Sequence, residues 1–187
     1  DNSDYQGQIT TITHAALMYE NLNPVWFANQ MYRECQQFDP DVINGTTLSS
    51  AGAVGCAQFM PATAAEIGFS VEDMKSFETA MYVSAYHMSK LTAQYNGDQI
   101  LALAAYNGGA GSVDFVREEL GRDDITGQDW LAFNEDRRYT SPSGKSGAWQ
   151  NETYNYIITI TRGEQAPHDQ RLAKQQQLGG LPPNLMF

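Results

Sequence analysis

Apolar residues return along this chain at three- and four-residue steps far more often than at two, and that pattern predicts helices nearly throughout. Ile9, Ile12, Ala16 and Leu17 mark a first helix within 9–22, after a polar and loose start over residues 1–7. Asn23-Pro24 opens a second: a side-chain cap, then a residue whose φ is preset and whose missing N–H is not needed there. That helix should reach about Gln37, because Pro40 disfavours helix in the residue before it. Met74, Phe77, Met81, Ala85, Met88 and Leu91 form a stripe on a longer helix that runs to about Tyr95, and the stripe reads as core. Ser70 and Asp73 stand in a capping arrangement at its start, although Asp is shorter than the usual Glu. Ile100-Leu101-Ala102-Leu103-Ala104-Ala105 is apolar nearly all round, so it predicts a central buried helix capped by Asp98.

Shorter segments complete the pattern. Pro61 to Ile67 reads as a short helix stopped by Gly68. Ser112 to Leu120 reads as one ended by Gly121, and Trp149 to Thr161 as the last helix. Asn44 to Ser50 is polar and reads as an exposed loop. Residues 121–148 mix Asp, Gly, Ser and Pro and read as a long loop with one turn around Trp130, of the kind that walls a groove. The tail over 163–187 carries Gln175-Gln176-Gln177, Gly179-Gly180 and Pro182-Pro183, and reads as a linker or docking arm. No strand pattern competes. The fold expected is mostly α, with one domain over 1–162.

Composition narrows the class. The 187 residues suffice for a sizeable core, and 42% hydrophobic with 11% aromatic content is that of a globular chain. No apolar run approaches the roughly 20 residues of a membrane span. Asp1-Asn2-Ser3-Asp4 show no signal peptide. Twenty-two acidic against eleven basic residues leave a net charge of −11, which argues against a nucleic-acid partner, since phosphate neutralisation dominates that affinity. His14, His87 and His168 are scattered without metal-ligand spacing, and no metal or cofactor is expected.

One carboxyl stands out. Glu34 follows Phe27 and Met31 by seven and three residues, so it shares a helix face with two large apolar side chains. Ionising a carboxyl against such a surface is costly, which raises its pKa and suits a general acid. On position alone the plainer reading is a solvated carboxylate at the edge of an amphipathic helix. Beyond Glu34 lies a glycine-rich segment in which Gly52 and Gly55 permit close backbone approach and Gln58 offers both donor and acceptor. Farther on, Tyr106-Asn107 precedes another run of glycines.

Taken together, Glu34-Cys35, Gly55-Cys56-Ala57-Gln58 with Pro61-Ala62-Thr63-Ala64, Ala105-Tyr106-Asn107 and Glu152-Thr153-Tyr154-Asn155-Tyr156 resemble the blocks of the lytic transglycosylases of the soluble-lytic-transglycosylase type. That is glycoside hydrolase family 23, with a lysozyme-like fold shared with goose-type lysozyme. The four blocks stand in the family's order over about residues 15–162. The resemblance implies cleavage of the β-1,4 bond between N-acetylmuramic acid and N-acetylglucosamine, with Glu34 as acid and then base. It implies that Gln58 and Asn107 hold acetamido groups, that Tyr106 positions Glu34 or the sugar, and that Glu152, with Tyr156 in the same block, serves the substrate site. Asp39, Asp41 and Glu152 are the obvious candidates for a second carboxylate, although Asp39 and Asp41 read more plainly as capping or solvent-facing residues.

Three departures from the family's pattern matter. Cys35 stands where the family has Ser, and Cys56 where it has Leu; the two positions are near each other in the family, which implies a disulfide. Closing a loop of ~20 residues contributes about 3 kcal/mol; the alternative is two buried thiols. Ala57 replaces a Met and bears on glycan specificity. The acidic charge disfavours long-range attraction to anionic wall polymers, and fits delivery by tethering or assembly through the tail. The expected setting is the bacterial periplasm or envelope, or a phage virion acting at the host wall. The competing functions are a hydrolysing goose-type lysozyme and a non-catalytic glycan-binding or structural module.

Overall fold

Each of the first two helices has one apolar face, and the two pack on one another. The computed structural model describes residues 2–35, 65–135 and 148–162. In it α1 runs Asn2–Leu17 and α2 runs Pro24–Glu34. α1 begins and ends earlier than its apolar spacing predicts. Asn2, Ser3 and Asp4 are residue types that helix starts favour, so the polar beginning is helical and not loose. At the other end Met18 N and Tyr19 N donate to Ala15 O and Ala16 O at 3.3 and 3.1 Å, three residues back, which tightens and closes the last turn. Ile9, Ile12, Ala15 and Ala16 form the buried stripe. Leu17, expected on that stripe, is 64% exposed, because one further step of about 100° carries it off the face.

α2 starts as its sequence predicts. Asn23 Oδ1 accepts from Val25 N at 3.0 Å and Trp26 N at 3.2 Å, with Pro24 in the first helical position. It closes at Glu34, short of Gln37, where Cys35 N donates to Met31 O at 2.8 Å. The expected loop at 44–50 and the start of the helix at Pro61 lie outside the described residues. Residues 65 and 66 are helical, and Gly68 follows at φ 86, the left-handed stop expected there.

Ser70 and Asp73 do cap one another. Ser70 N and Oγ donate to Asp73 Oδ2 at 2.8 and 2.7 Å, and Asp73 N donates to Ser70 Oγ at 3.1 Å. The pair opens a separate 3-10 turn, Asp73–Lys75, and the long helix α3 starts later, at Phe77, and ends at Gln94. Of the predicted stripe, Met74, Met81, Ala85 and Met88 are buried, while Phe77 and Leu91 are half-buried. Within α3 the chain passes from one compact unit, containing Asp1–His87, to a second, Met88–Glu164.

The second unit gathers around α4, Gln99–Gly108. α5, Ala110–Leu120, α6, Gly127–Glu135, and α7, Ala148–Arg162, all pack against it. Every residue from Gln99 to Ala104 is buried, as the all-round apolar pattern predicts. Gly109, at φ 79, breaks the helix and lets α5 begin one residue later. Gly121, at φ 67, ends α5 with its N–H on Arg117 O and Glu118 O.

α6 corrects the expectation of a loop with one turn. Thr126 N donates to Asp129 Oδ2 at 2.8 Å and Asp129 N to Thr126 Oγ1 at 3.1 Å, a reciprocal cap that Asp- and Gly-rich composition hid. Behind it Trp130, Leu131 and Phe133 are buried, enough apolar surface to hold the segment helical. Residues 136–147 and the tail over 163–187 lie outside the described residues. Among the described residues there is no strand, and no helix is long and apolar enough to cross a membrane.

Asp98 caps two helices at once. Its Oδ1 accepts from Leu101 N at 3.1 Å in α4, and its Oδ2 accepts from Gly127 N at 2.7 Å at the start of α6. Gly127 has no room for a side chain: a Cβ there would stand 2.6 Å from Asp98 Oδ1 and collide with Ile100. Asp98→Ala is expected to lower the unfolding free energy by about 1–3 kcal/mol, since two N–H groups lose their partner. Urea unfolding measures it, and an unchanged midpoint would show that the bridge contributes nothing.

A second expectation concerns acid. The Thr126 N–H, with the Arg122 guanidinium beside it, holds the Asp129 carboxyl below its ordinary value. A depressed carboxyl stabilises the fold above its unfolded pKa, near ~3.9, and that contribution disappears as pH falls through the folded value. The gap in melting temperature between wild type and Asp129→Asn should therefore shrink between about pH 6 and about pH 2. A constant gap across that range contradicts the assignment.

Candidate active site

Glu34 is the final residue of α2, half-buried, on the face that Phe27 and Met31 anchor from below with no exposed surface of their own. Asn29, Gln30 and Tyr32 of the same helix are also buried, so α2 is held on more than one side. Next to Glu34, Cys35 is fully buried and disulfide-bonded. The chain's other cysteine, Cys56, lies outside the described residues, as do Gln58, Asp39 and Asp41.

Tyr106 and Asn107 occupy the last turn of α4, both half-buried, where Gly109 turns the chain away. Asn107 is fastened from α7: Thr153 Oγ1 donates to Asn107 Oδ1 at 2.8 Å. The contact is possible because the next residue is Gly108, where a Cβ would stand 2.7 Å from Thr153 Oγ1. Two of the predicted blocks, Ala105-Tyr106-Asn107 and Glu152-Thr153-Tyr154-Asn155-Tyr156, thus meet in the second unit.

Within the α7 block the helix sorts the side chains. Glu152 is exposed, while Thr153 and Tyr156 face inward and are 1% exposed. Tyr156, expected among the substrate contacts, has next to no surface to offer a sugar here, and its ring belongs to the core with Ile157 and Ile160.

Two contributors were not singled out by sequence reasoning. Thr153 lay inside a noted block, but nothing local distinguishes it from Thr159 or Thr161. Ser112 Oγ donates to Ala104 O at 3.0 Å and to Gly109 O at 2.8 Å, tying the start of α5 to the end of α4. The spacing from Gly109 to Ser112, a hydroxyl three residues into a new helix, is the signal for it.

A family model described as the transglycosylase SLT domain matches residues 14–126 of this chain, more than half of its length. The matched span takes in Glu34, both cysteines, Gln58, Tyr106 and Asn107. Glu152, Thr153 and Tyr156 lie beyond it.

Since Cys35 is bonded and buried, alkylation of the denatured, unreduced protein should add no mass. After reduction both of its two cysteines should be labelled. Reduction should also cost about 2–5 kcal/mol of stability. Labelling before reduction would contradict the bond.

Proposed function

Because the chain belongs to the transglycosylase SLT domain family, whose members degrade peptidoglycan, we propose that it cleaves the β-1,4 bond between N-acetylmuramic acid and N-acetylglucosamine and leaves a 1,6-anhydro end. The family match over the segment that carries Glu34, Tyr106 and Asn107 is the observation that supports this reading most.

In the proposed reaction the Glu34 carboxyl gives its proton to the glycosidic oxygen. The bond from that oxygen to C1 breaks, and the N-acetylglucosamine side leaves as a 4-hydroxyl. The carbonyl oxygen of the muramic 2-acetamido group bonds to C1, so the positive charge is carried by an oxazolinium ring. The Glu34 carboxylate then removes the proton of the muramic 6-hydroxyl, and O6 displaces the acetamido oxygen from C1. The anhydro ring closes and no water is consumed.

Glu34 ends α2 half-buried, beside the apolar face of Phe27 and Met31, and the first step requires it to carry a proton there. Gln58 and Asn107 are assigned to acetamido groups and Tyr106 to positioning. Glu152 is assigned to an acetamido N–H, and its exposure in α7 leaves it accessible. Tyr156 supports the site from within the core. The disulfide of Cys35 is assigned to Cys56, joining the end of α2 to the glycine-rich segment. Action at the bacterial wall, from the envelope or from a phage particle with the tail as docking arm, completes the reading.

Purified peptidoglycan treated with the protein should release muropeptides ~18 Da lighter than hydrolysed ones. Glu34→Gln should lower the rate by at least about 10²-fold with the fold intact. Mass spectrometry of the soluble products decides it. Hydrated products would move the protein to the lysozymes, and absence of products from wild type would leave a binding or structural role.

A further inference from the structure

α7 carries three threonines among its described side chains, and their hydroxyls behave differently. Thr159 Oγ1 donates to Asn155 O and Thr161 Oγ1 to Ile157 O, each at 2.8 Å, the usual bond to the carbonyl four residues back. Thr153 instead donates across to α4, to Asn107 Oδ1. The two partners are 46 residues apart. Thr153 is buried and Asn107 half-buried, so this hydrogen bond is partly withdrawn from water.

A side-chain amide has an accepting end and a donating end, and one bond to its oxygen settles which end is left over. With Oδ1 occupied by Thr153, the Nδ2 group of Asn107 keeps two N–H donors that take no partner among the described residues. Asn107 is half-buried at the end of α4 and therefore retains exposed surface.

We propose that Thr153 is a positioning residue for substrate recognition: it fixes the Asn107 amide with its N–H end outward, so that the site selects a sugar bearing an N-acetyl carbonyl over one bearing a free amine. An N–H pair pairs with a carbonyl oxygen, whereas a protonated amine brings only donors of its own. The inference rests on the proposed function in one respect, that Asn107 faces the glycan.

The test is a double-mutant cycle on binding, separate from turnover. The probe is a tetrasaccharide of alternating N-acetylglucosamine and N-acetylmuramic acid, titrated into protein carrying Glu34→Gln so that cleavage does not intervene. Thr153→Val keeps the shape and removes the donor. It should weaken binding roughly threefold to tenfold, about the worth of one hydrogen bond. Thr153→Ser should restore it. Thr153→Val combined with Asn107→Ala should bind no more weakly than Asn107→Ala alone, because Thr153 acts through Asn107.

Thr153→Val should also reduce the preference for the acetylated tetrasaccharide over its de-N-acetylated form, which a merely structural change would leave in place. Melting curves for each variant confirm folding, and the Ser variant serves if Val unfolds the protein. Equal binding by Thr153→Val, multiplying effects in the double variant, or no binding by the parent protein overturns the inference. Failure of the proposed reaction is read separately, from the products of the protein without the Glu34 substitution.

Discussion

The second unit depends on a carboxylate shared between two helix starts. A helix begins with N–H groups that lack intrahelical partners, and burying them unsatisfied is costly. Asp98 answers that need for α4 and α6 with its two oxygens, which fixes where α6 starts relative to α4. From there the connections form a circuit. α6 carries Trp130, whose Nε1 donates to Ser112 O at 3.0 Å; Ser112 in turn bonds Ala104 O of α4. α4 is thereby held near both ends, by Asp98 where it begins and by Ser112 and Thr153 where it finishes. That last turn is where Tyr106 and Asn107 stand, so the accuracy with which they are presented comes from the circuit and not from the short helix itself.

How much of this was legible depends on the range over which each determinant acts. Caps act within three residues, so Asn23, Asp98 and the Ser70–Asp73 pair could be read directly, as could the buried α4. Bounds set by competing local bonds were less legible. α1 stops at Leu17 because its last N–H groups turn to nearer carbonyls, which the apolar spacing does not record. α6 was mistaken for a loop because Thr126 and Asp129 look like loop residues until the buried Trp130 behind them is taken into account. The second oxygen of Asp98 could not be read either, since its partner Gly127 is 29 residues away.

The candidate site divides in the same way. Glu34 and Asn107 were singled out because the blocks they stand in resemble the family's, since position alone left Glu34 as a solvated carboxylate. Thr153 was passed over because its role depends on a partner in a different helix, and on Gly108 having no side chain in the way. Tyr156 was grouped with Glu152 by motif, yet they stand four residues apart on one helix with opposite exposure. Membership of one block says nothing about which side chain meets solvent. Helix periodicity around Ile157 and Ile160 could have said it.

The polarity of the Asn107 amide also bears on which sugar it meets. In the proposed reaction the muramic acetamido oxygen attacks C1 and becomes part of a positively charged ring. An N–H donor on that oxygen would draw electron density from it and oppose the attack. A carboxylate accepting from the acetamido N–H would assist it, because the negative charge stabilises the ring as it forms. Glu152 has the chemistry for the second task and Asn107 does not. The outward N–H end of Asn107 therefore suits the acetamido carbonyl of a neighbouring, non-reacting sugar. Its contribution would then fall on binding in the ground state and transition state alike, raising KM when lost while leaving kcat little changed. Selection of the acetylated glycan and the chemistry at C1 would be handled by different side chains, with Thr153 acting on the first alone.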